Sequence, residues 1–244
     1  MTQESLVVET NAKVVQNIYM LVLKGNTSSI TAPGQFINIK LDGLYLRRPM
    51  SIADWYKNYI AVIYRVVGEG TKMMSKLKEG TVVDAFVGLG NGFNISEAKG
   101  KRIILVGGGL GIAPLYGLVN TLYGKQIKFD IAIGFNSKAE AFGYSKVSRY
   151  AKNVFITTID GSLGTKGLVT DVIDEKNYDY YYACGPESML RTLHKFNIEG
   201  QLSLEARMGC GFGACMGCSV KTTGGYKRVC LEGPVMLSSE LIFD

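Results

Sequence analysis

Four of the five cysteines in this 244-residue chain lie close together, at a spacing that could hold a metal cluster. They follow the pattern C-x4-C-x2-C, with a fourth cysteine after eleven further residues. This is the plant-type spacing for a [2Fe-2S] cluster, in which four thiolates hold two irons. The glycines between them allow backbone N–H groups to approach the sulfurs. We predict that the cluster ligands are Cys210, Cys215, Cys218 and Cys230.

A four-cysteine zinc site is the first alternative, and it would make the chain a non-enzymatic binding module. Zinc ligands usually come as two C-x2–4-C pairs, whereas Cys230 stands alone.

A disulfide framework is the second alternative, and it is typical of small secreted domains. This chain is long, and its first ten residues lack the apolar core of a signal peptide. We therefore expect a cytoplasmic protein and favour iron over zinc or disulfides.

The composition describes a globular protein, with 47% hydrophobic and 20% charged residues. The net charge of +6 is dispersed and no recognition motif accompanies it, so we expect no nucleic-acid partner. Glycines and Pro114 interrupt the most apolar run, Ile103–Val119, so we expect no membrane span. The single histidine, His194, excludes histidine-rich metal sites, and we predict that it is a surface residue on a helix.

Five short β-like runs occupy the first 95 residues or so, at intervals that suit an antiparallel barrel or sandwich. The runs are Leu6–Val8, Ile18–Leu23, Phe36–Leu41, Ile60–Val66 and Val82–Val87.

From Lys101 the predicted elements alternate as strand, turn and helix. This alternation predicts a parallel sheet covered by helices on both faces. The predicted strands are Arg102–Val106, Phe129–Ile133, Val154–Ile159 and Tyr178–Ala183. The predicted helices are Ile112–Tyr123, Ala139–Tyr150, Leu168–Glu175 and Glu187–Phe196. We therefore predict an antiparallel β barrel or sandwich over residues 1–98, a doubly wound α/β domain over 99–200 and a small cluster-binding subdomain over 201–244.

A glycine-rich turn, residues 107–114, follows the first strand of the α/β domain. Glycines there would let a diphosphate approach the N-terminus of the next helix, where unpaired N–H groups favour negative charge. The pattern is G-x-G-x-x-P, and no acid follows about 20 residues on, so the usual dinucleotide fingerprint fails. A tight structural turn is the alternative.

Two segments of the barrel half could also bind an anion. Arg47 and Arg48 stand beside Pro49 and could clamp a diphosphate, although a solvated basic turn is the alternative. Farther along, Thr71 is placed to cap a helix over residues 72–78. Tyr64 could stack on an aromatic cofactor or belong to the barrel core.

In this order, these segments resemble the ferredoxin-NADP reductase superfamily. The matching motifs are Arg48-Pro-Met-Ser51, Gly68-Glu-Gly-Thr71, Gly90-Asn-Gly-Phe93, Gly109-Leu-Gly-Ile-Ala-Pro114 and Ala183-Cys-Gly-Pro186. With the four cysteines added, the chain resembles, over essentially its whole length, the electron-transfer subunits of NAD-dependent bacterial dihydroorotate dehydrogenases.

The resemblance implies an FAD-binding barrel and a domain that binds NAD. The residues that it implies for FAD are Arg48, Pro49, Met50, Ser51, Ile63, Tyr64, Arg65, Gly70 and Thr71. Those that it implies for the nicotinamide side are Gly109, Gly111, Cys184, Gly185 and Pro186. It also gives the four cysteines above as the ligands of the cluster, while Cys184 could instead be a small buried apolar residue.

The resemblance further implies a division of labour. A separate FMN-containing catalytic subunit would oxidise dihydroorotate in pyrimidine biosynthesis, and electrons would pass through the cluster and FAD of this chain to NAD+. No residue of this chain would be catalytic, and alone it would only oxidise NADH. We expect a heterotetramer of two copies of each chain, with Phe212 and Met216 near the interface. The alternative is a reductase subunit of a hydrogenase or of an electron-bifurcating ferredoxin-NADP oxidoreductase.

Overall fold

The computed structural model describes residues 1–243. Its first six strands close into an antiparallel barrel in the order β1-β2-β5-β4-β3-β6. They are β1 (Thr2–Val15), β2 (Ile18–Lys24), β3 (Phe36–Ile39), β4 (Arg48–Tyr56), β5 (Tyr59–Arg65) and β6 (Val82–Leu89). Alternate side chains fill the barrel, among them Leu21 and Leu23 of β2. Asn17, with φ 60°, lies in the two-residue turn between β1 and β2, a position that favours asparagine or glycine.

Nine further strands follow the barrel. They are β7 (Ile103–Gly108), β8 (Asp130–Phe135), β9 (Val154–Thr158), β10 (Thr165–Lys166), β11 (Tyr180–Cys184), β12 (Glu199–Ser203), β13 (Ser219–Thr222), β14 (Gly225–Arg228) and β15 (Val235–Leu237). Seven of them form one sheet in the order β10-β9-β8-β7-β11-β12-β15, and all its pairs are parallel except β12 with β15. The other two, β13 and β14, form a hairpin.

Four α-helices accompany these sheets in the described residues: α1 (Glu69–Met74), α2 (Ile112–Gly124), α3 (Tyr144–Ser148) and α4 (Glu187–His194). Helices α2 and α3 pack in the hydrophobic cluster on one face of the large sheet, while Leu190 and Leu193 of α4 belong to the cluster on the other. The predicted fold class, an antiparallel barrel followed by a doubly wound α/β domain, is confirmed. No helix within residues 1–243 is long and apolar enough to cross a membrane.

Three predicted helices differ in the structure. Gly143 adopts a left-handed φ of 67° and interrupts the helix predicted for 139–150, leaving a 3₁₀ turn at Lys138–Glu140 and α3. The segment predicted as a helix over 168–175 forms only 3₁₀ turns, because its β-branched run disfavours an α-helix. The helix predicted for 72–78 is α1, which begins and ends earlier.

Strand β4 of the barrel was not predicted from the sequence. Its first residues instead suggested a basic turn or a diphosphate clamp. Residues 204–234 lie outside the large sheet and connect β12 to β15, the last strand of that sheet. The predicted domain boundary after residue 200 lies within β12, and the division into three domains stays a prediction. His194 is half-buried at the end of α4, where its Nδ1 lies 3.1 Å from the Ser238 hydroxyl.

Candidate functional site

A cavity of about 930 Å³ lies between the barrel and the carboxyl ends of the parallel strands. Its volume is in the range of ligand pockets, and in open α/β sheets the ends of the strands are where ligands bind. The cavity brings together eleven of the residues that the sequence assigned to FAD or NAD. These are Pro49, Met50, Ser51, Ile63, Tyr64, Arg65, Thr71, Gly109, Gly111, Gly185 and Pro186.

The barrel side of the cavity consists of the neighbouring strands β4 and β5 and the start of α1. Tyr64 lines the cavity but is only 1% exposed: its ring stacks on Tyr19 with centroids 5.9 Å apart, and its hydroxyl donates to Asn11 Oδ1 at 3.1 Å. Burial raises the pKa of Tyr64 to about 12, so the phenol stays neutral. The barrel-core alternative therefore describes this ring better than a free stacking platform.

Arg48 is not among the residues that line the cavity, and its side chain lies against Gly70 in the first turn of α1. A Cβ atom at Gly70 would collide with Arg48 Nε, so the absence of a side chain at Gly70 makes room for the guanidinium. Arg47 points elsewhere: it pairs with Asp84 at 2.6 Å and lies over the Phe86 ring. The structure therefore separates the two arginines of the predicted clamp: Arg47, just before β4, pairs with Asp84, and only Arg48 lies against α1.

The prediction was that Thr71 caps α1 from the position before the helix, and this is wrong. The helix begins at Glu69 with Gly68 as its N-cap, and Thr71 is the third residue of the helix. Its hydroxyl accepts hydrogen bonds from the N–H groups of Val67 at 2.9 Å and Gly68 at 3.2 Å. Thr71 thus fixes the entry into α1 from inside the helix.

The nucleotide side of the cavity consists of two turns packed backbone to backbone. The glycine turn follows β7, and the Cys184–Pro186 turn follows the neighbouring strand β11. A Cβ atom at Gly111 would collide with the carbonyl oxygen of Cys184, so this contact requires glycine. Cys184 itself is 2% exposed, and burial raises its pKa to about 12. It is therefore a protonated, buried thiol that does not itself line the cavity, as the apolar alternative for it supposed.

Several cavity residues had no signal in the sequence. After β8, Glu140 pairs with Arg65 across the cavity at 3.0 Å and accepts a hydrogen bond from Asn136. The dinucleotide fingerprint places an acid at the end of that strand, whereas Glu140 comes a few residues later, in a 3₁₀ turn. Glu205, which follows β12, also lines the cavity. Glu205 is exposed to solvent, but the protein around it in the cleft removes part of the water near its carboxyl group, and this burial raises its pKa.

Backbone N–H groups link the four cysteines of the loop in two pairs. The Cys215 N–H points to Cys210 Sγ at 3.4 Å, and the Cys230 N–H points to Cys218 Sγ at 3.4 Å. In the part of the chain that the structure describes, no three His, Cys, Asp or Glu side chains are grouped as for a single metal ion, and all five cysteines are free. Two sulfur pairs fit a cluster that contains two irons.

The chemistry of the sulfurs also fits a cationic iron cluster. Burial would raise the pKa of Cys210, but N–H groups of Phe212, Cys215 and Ala214 outweigh it and lower the pKa to about 6. Burial, together with the neighbouring Cys218, raises the pKa of Cys230 to about 12. Thiolates this close repel one another, so the loop as a whole favours a bound cation that neutralises them.

The barrel holds this loop in place. Asn38 of β3 donates to the Cys210 carbonyl at 3.1 Å, and the rings of Phe86 and Phe212 meet edge to face at 5.7 Å. Around the loop, apolar side chains reach solvent at Phe212, Met216 and Leu231. The β13–β14 hairpin connects Cys218 to Cys230.

Comparison with known proteins agrees with this site. A family model described as the iron-sulfur cluster binding domain of dihydroorotate dehydrogenase B matches residues 205–242. The chain is 43% identical to the dihydroorotate dehydrogenase B (NAD(+)) electron transfer subunit of Fusobacterium nucleatum, with 98% of each chain covered. It is 40% identical to the same subunit of a Geobacillus species, with 99% of each covered.

Solved structures share the fold. The NADH-dependent reduced ferredoxin-NADP oxidoreductase, studied for flavin-based electron bifurcation, superposes with a TM-score of 0.85 at 27% identity, covering 98% of this chain and 90% of that chain. A flavohemoglobin from Malassezia yamatoensis superposes with a TM-score of 0.69 at 18% identity, covering 80% and 56%, which shows the fold alone. The identity and coverage of the curated relatives, together with the matched cluster domain, decide the family. The chain belongs to the electron transfer subunits of the NAD-dependent dihydroorotate dehydrogenases of type B.

Proposed function

We propose that this chain carries electrons between an FMN-containing dihydroorotate dehydrogenase subunit and NAD+, in the synthesis of pyrimidines. One observation carries the proposal: a single segment belongs both to the cavity and to the cysteine loop. Leu204, Glu205, Ala206 and Met208 line the cavity, and Cys210 follows them directly. A flavin and nicotinamide site and an iron-sulfur site are therefore adjacent in this chain.

The residues fit three redox groups. Cys210, Cys215, Cys218 and Cys230 would hold a [2Fe-2S] cluster, the cavity wall from β4, β5 and α1 would hold FAD, and the turns after β7 and β11 would hold NAD(H). When bound, a nicotinamide exchanges a hydride, an iron-sulfur cluster exchanges single electrons, and a flavin exchanges both. The size of the cavity supports this assignment, because it spans from Phe36 in the barrel to Leu168 beyond β9.

The chain contributes binding, orientation and exclusion of water. The contact of Gly111 with Cys184 fixes the spacing of the two nucleotide-side turns. Arg48, held over Gly70, provides a positive charge close to the first turn of α1, where N–H groups also favour an anion. We assign both features to the diphosphates of the two dinucleotides. No side chain of this chain breaks or forms a bond of dihydroorotate in the proposal.

The partner would dock on the exposed apolar side chains around the cysteine loop. Phe212, Met216 and Leu231 are between 39% and 60% exposed. Apolar side chains grouped in this way mark protein contacts. They lie beside the proposed cluster, so a subunit bound there would exchange electrons over a short distance. We propose that the complex contains two copies of this chain and two copies of the catalytic subunit.

The division of labour can be tested with the purified chain. It should contain flavin and iron and oxidise NADH with an artificial dye, but it should reduce orotate with NADH only after the catalytic subunit is added. Orotate reduction by the chain alone would contradict the proposal. Isolation of the native complex tests the partner: a hydrogenase subunit or a partner with several clusters would favour the alternative assignment.

A further inference from the structure

Arg228 joins the two segments that carry the proposed cluster ligands. It is the last residue of β14, two positions before Cys230. Its Nη1 donates a hydrogen bond to the carbonyl oxygen of Gly213, which lies between Cys210 and Cys215. The guanidinium therefore crosses from the hairpin to the loop that contains the first three of these cysteines.

Glu232 holds the other side of the same guanidinium. Arg228 Nη2 lies 2.5 Å from Glu232 Oε1, and Nε donates to Oε2 at 3.2 Å, so the pair is bidentate. The backbone N–H of Arg228 also donates to Oε2 at 2.7 Å. Glu232 comes two positions after Cys230, so the two charged residues flank that ligand in the chain. The carboxylate thus fixes a side chain that is 26% exposed.

The positive charge of Arg228 lies close to two of the ligand sulfurs. The hydrogen bonds to Glu232 are the largest cause of the raised pKa of Arg228, and the charges of Cys230 and Cys218 also raise it. Both cysteines are buried, at 1% and 3% exposure, so solvent screens their sulfurs less than it screens surface groups. Arginine keeps its proton in proteins, so this charge is present at every working pH.

A fixed positive charge beside the sulfurs favours the reduced form of a cluster. Reduction by one electron adds one negative charge to the site, while the four thiolates keep theirs. A nearby cation stabilises the added charge, and a nearby anion destabilises it. Net charge and hydrogen bonds to the sulfurs are among the factors that set the potential of an iron-sulfur cluster. The charges of Arg228 and Glu232 should therefore act on this potential with opposite signs.

We propose that Arg228 raises the reduction potential of the cluster, and that Glu232 limits this effect while it keeps the guanidinium in position. In the proposed function the cluster exchanges single electrons with the partner and with FAD. Its potential therefore decides how readily it accepts an electron from one and gives it to the other. This inference rests on the proposed function, because it requires that the four cysteines hold the cluster. The two side chains act through their charges and not as ligands.

The test is a redox titration of the purified chain with its cluster, followed by the electron paramagnetic resonance signal of the reduced form. Arg228→Met removes the charge and keeps much of the length of the side chain. At the midpoint potential of the wild type, we expect the ratio of reduced to oxidised cluster in this variant to fall about three-fold. This corresponds to a midpoint potential about 28 mV lower. The shift should shrink at high salt, because salt screens partly exposed charges.

Glu232→Gln tests the sign of the effect. It removes a negative charge from the same place, so the ratio of reduced to oxidised cluster should rise, by about two-fold. Arg228 keeps its hydrogen bond to Gly213 in this variant. A role in the shape of the loop alone would not move the two variants in opposite directions. If Arg228→Met loses its iron, the rise in Glu232→Gln decides the inference by itself.

The matched control is Lys227→Met. Lys227 precedes Arg228 in β14, and its side chain is 33% exposed, but its ammonium pairs with Glu240 at 2.7 Å, in the 3₁₀ turn Ser238–Glu240. Successive side chains of a strand point to opposite faces, so this charge lies on the other face of the hairpin. Lys227→Met changes the net charge as Arg228→Met does, and it should leave the midpoint potential unchanged.

Three results would overturn the inference while the chain still binds its cluster. They are an unchanged potential in Arg228→Met or Glu232→Gln, shifts of the same sign in these two variants, and a shift in Lys227→Met equal to that in Arg228→Met. Iron per chain, measured for each variant, shows that the same cluster is titrated. A wild-type chain that binds no iron overturns the proposed function as well.

Discussion

The side chain of Asn38, on β3 of the barrel, donates a hydrogen bond to the carbonyl oxygen of Cys210 at 3.1 Å. Asn38 is 1% exposed, and a Cβ atom at Gly211 would collide with its amide nitrogen. Gly211 also has a φ of 76°, which favours glycine. The barrel thus fixes the first ligand of the cysteine loop directly, across 172 residues of sequence.

Replacement of Asn38 by leucine should shorten the lifetime of the cluster. The Cys210 carbonyl would lose its donor, at a cost of about 1–3 kcal/mol if the group stays buried. The loop should then open more often and release iron faster. The measurement is the decay of the visible absorbance of the cluster in the presence of an iron chelator.

Asn11→Leu is the control for this experiment. Asn11 also donates to backbone carbonyls, but those of Met74 at 2.8 Å and Leu77 at 3.1 Å, at and after the end of α1. It should destabilise the barrel without a specific effect on iron release. Equal rates of decay for Asn38→Leu and the wild type would contradict the role of this hydrogen bond.

Cys230→Ala and Cys184→Ala should separate the cluster ligands from the remaining cysteine. Both sulfurs are buried, at 1% and 2% exposure, so the two changes remove similar apolar contacts. Only Cys230 lies beside another loop sulfur, and we expect its alanine variant to lose the [2Fe-2S] cluster. Iron and acid-labile sulfide per chain, and the electron paramagnetic resonance signal after reduction, measure the difference. A full cluster in Cys230→Ala would refute the assignment of this ligand.

Local patterns predicted the parts of the site that depend on neighbours in sequence. The cysteine spacing and the glycine turn are of this kind, because a loop around a cluster and a turn before a helix need particular residues at fixed intervals. The strand positions of the barrel followed from alternation, except β4, whose first residues are Arg48 and Pro49. An arginine and a proline at the start of a strand give no hydrophobic alternation, so the pattern resembled a turn.

Relations between distant segments could not be predicted in this way. The pair of Arg65 with Glu140 and the contact of Asn38 with Cys210 join residues far apart in the chain, and each depends on how the barrel packs on the rest. Glu205 gave no signal either, because an acid after a strand is usually solvated. Only the fold shows that Glu205 lines a cleft.

Gly70→Ala should weaken the binding of FAD, while Gly68→Ala should not. A methyl group at position 70 would displace the Arg48 guanidinium, whereas a Cβ atom at Gly68 meets nothing within 4 Å. Gly68 has a φ of −161°, an extended conformation that alanine adopts readily. We expect the Gly70 variant to bind FAD about ten-fold more weakly, which corresponds to about 1.4 kcal/mol. The ratio of flavin to protein after dilution and gel filtration measures this, and equal retention by both variants would remove Arg48 from the flavin site.

Glu205→Gln should stabilise the ligand-free cavity at neutral pH. Burial raises the pKa of Glu205 in the folded chain above its ordinary value of 4.5, so the ionised carboxylate destabilises the fold. Between pH 4.5 and the raised pKa, the folded state binds more protons than the unfolded state, and stability therefore falls as pH rises. Glutamine cannot ionise, so its advantage over the wild type should grow through this window and then stay constant.

We expect a gain of less than about 1 kcal/mol at pH 8, because water in the cavity screens the carboxylate. This corresponds to a rise in melting temperature of at most about 2–4 °C. Thermal unfolding between pH 5 and pH 8.5, with Glu79→Gln at an exposed position as the control, gives the profile. A gain that is largest at pH 5 would have the wrong sign and would show that Glu205 is stabilised as an anion. Saturation with NAD+ should increase the difference between Glu205→Gln and the wild type, since a ligand in the cavity removes the water that screens this charge.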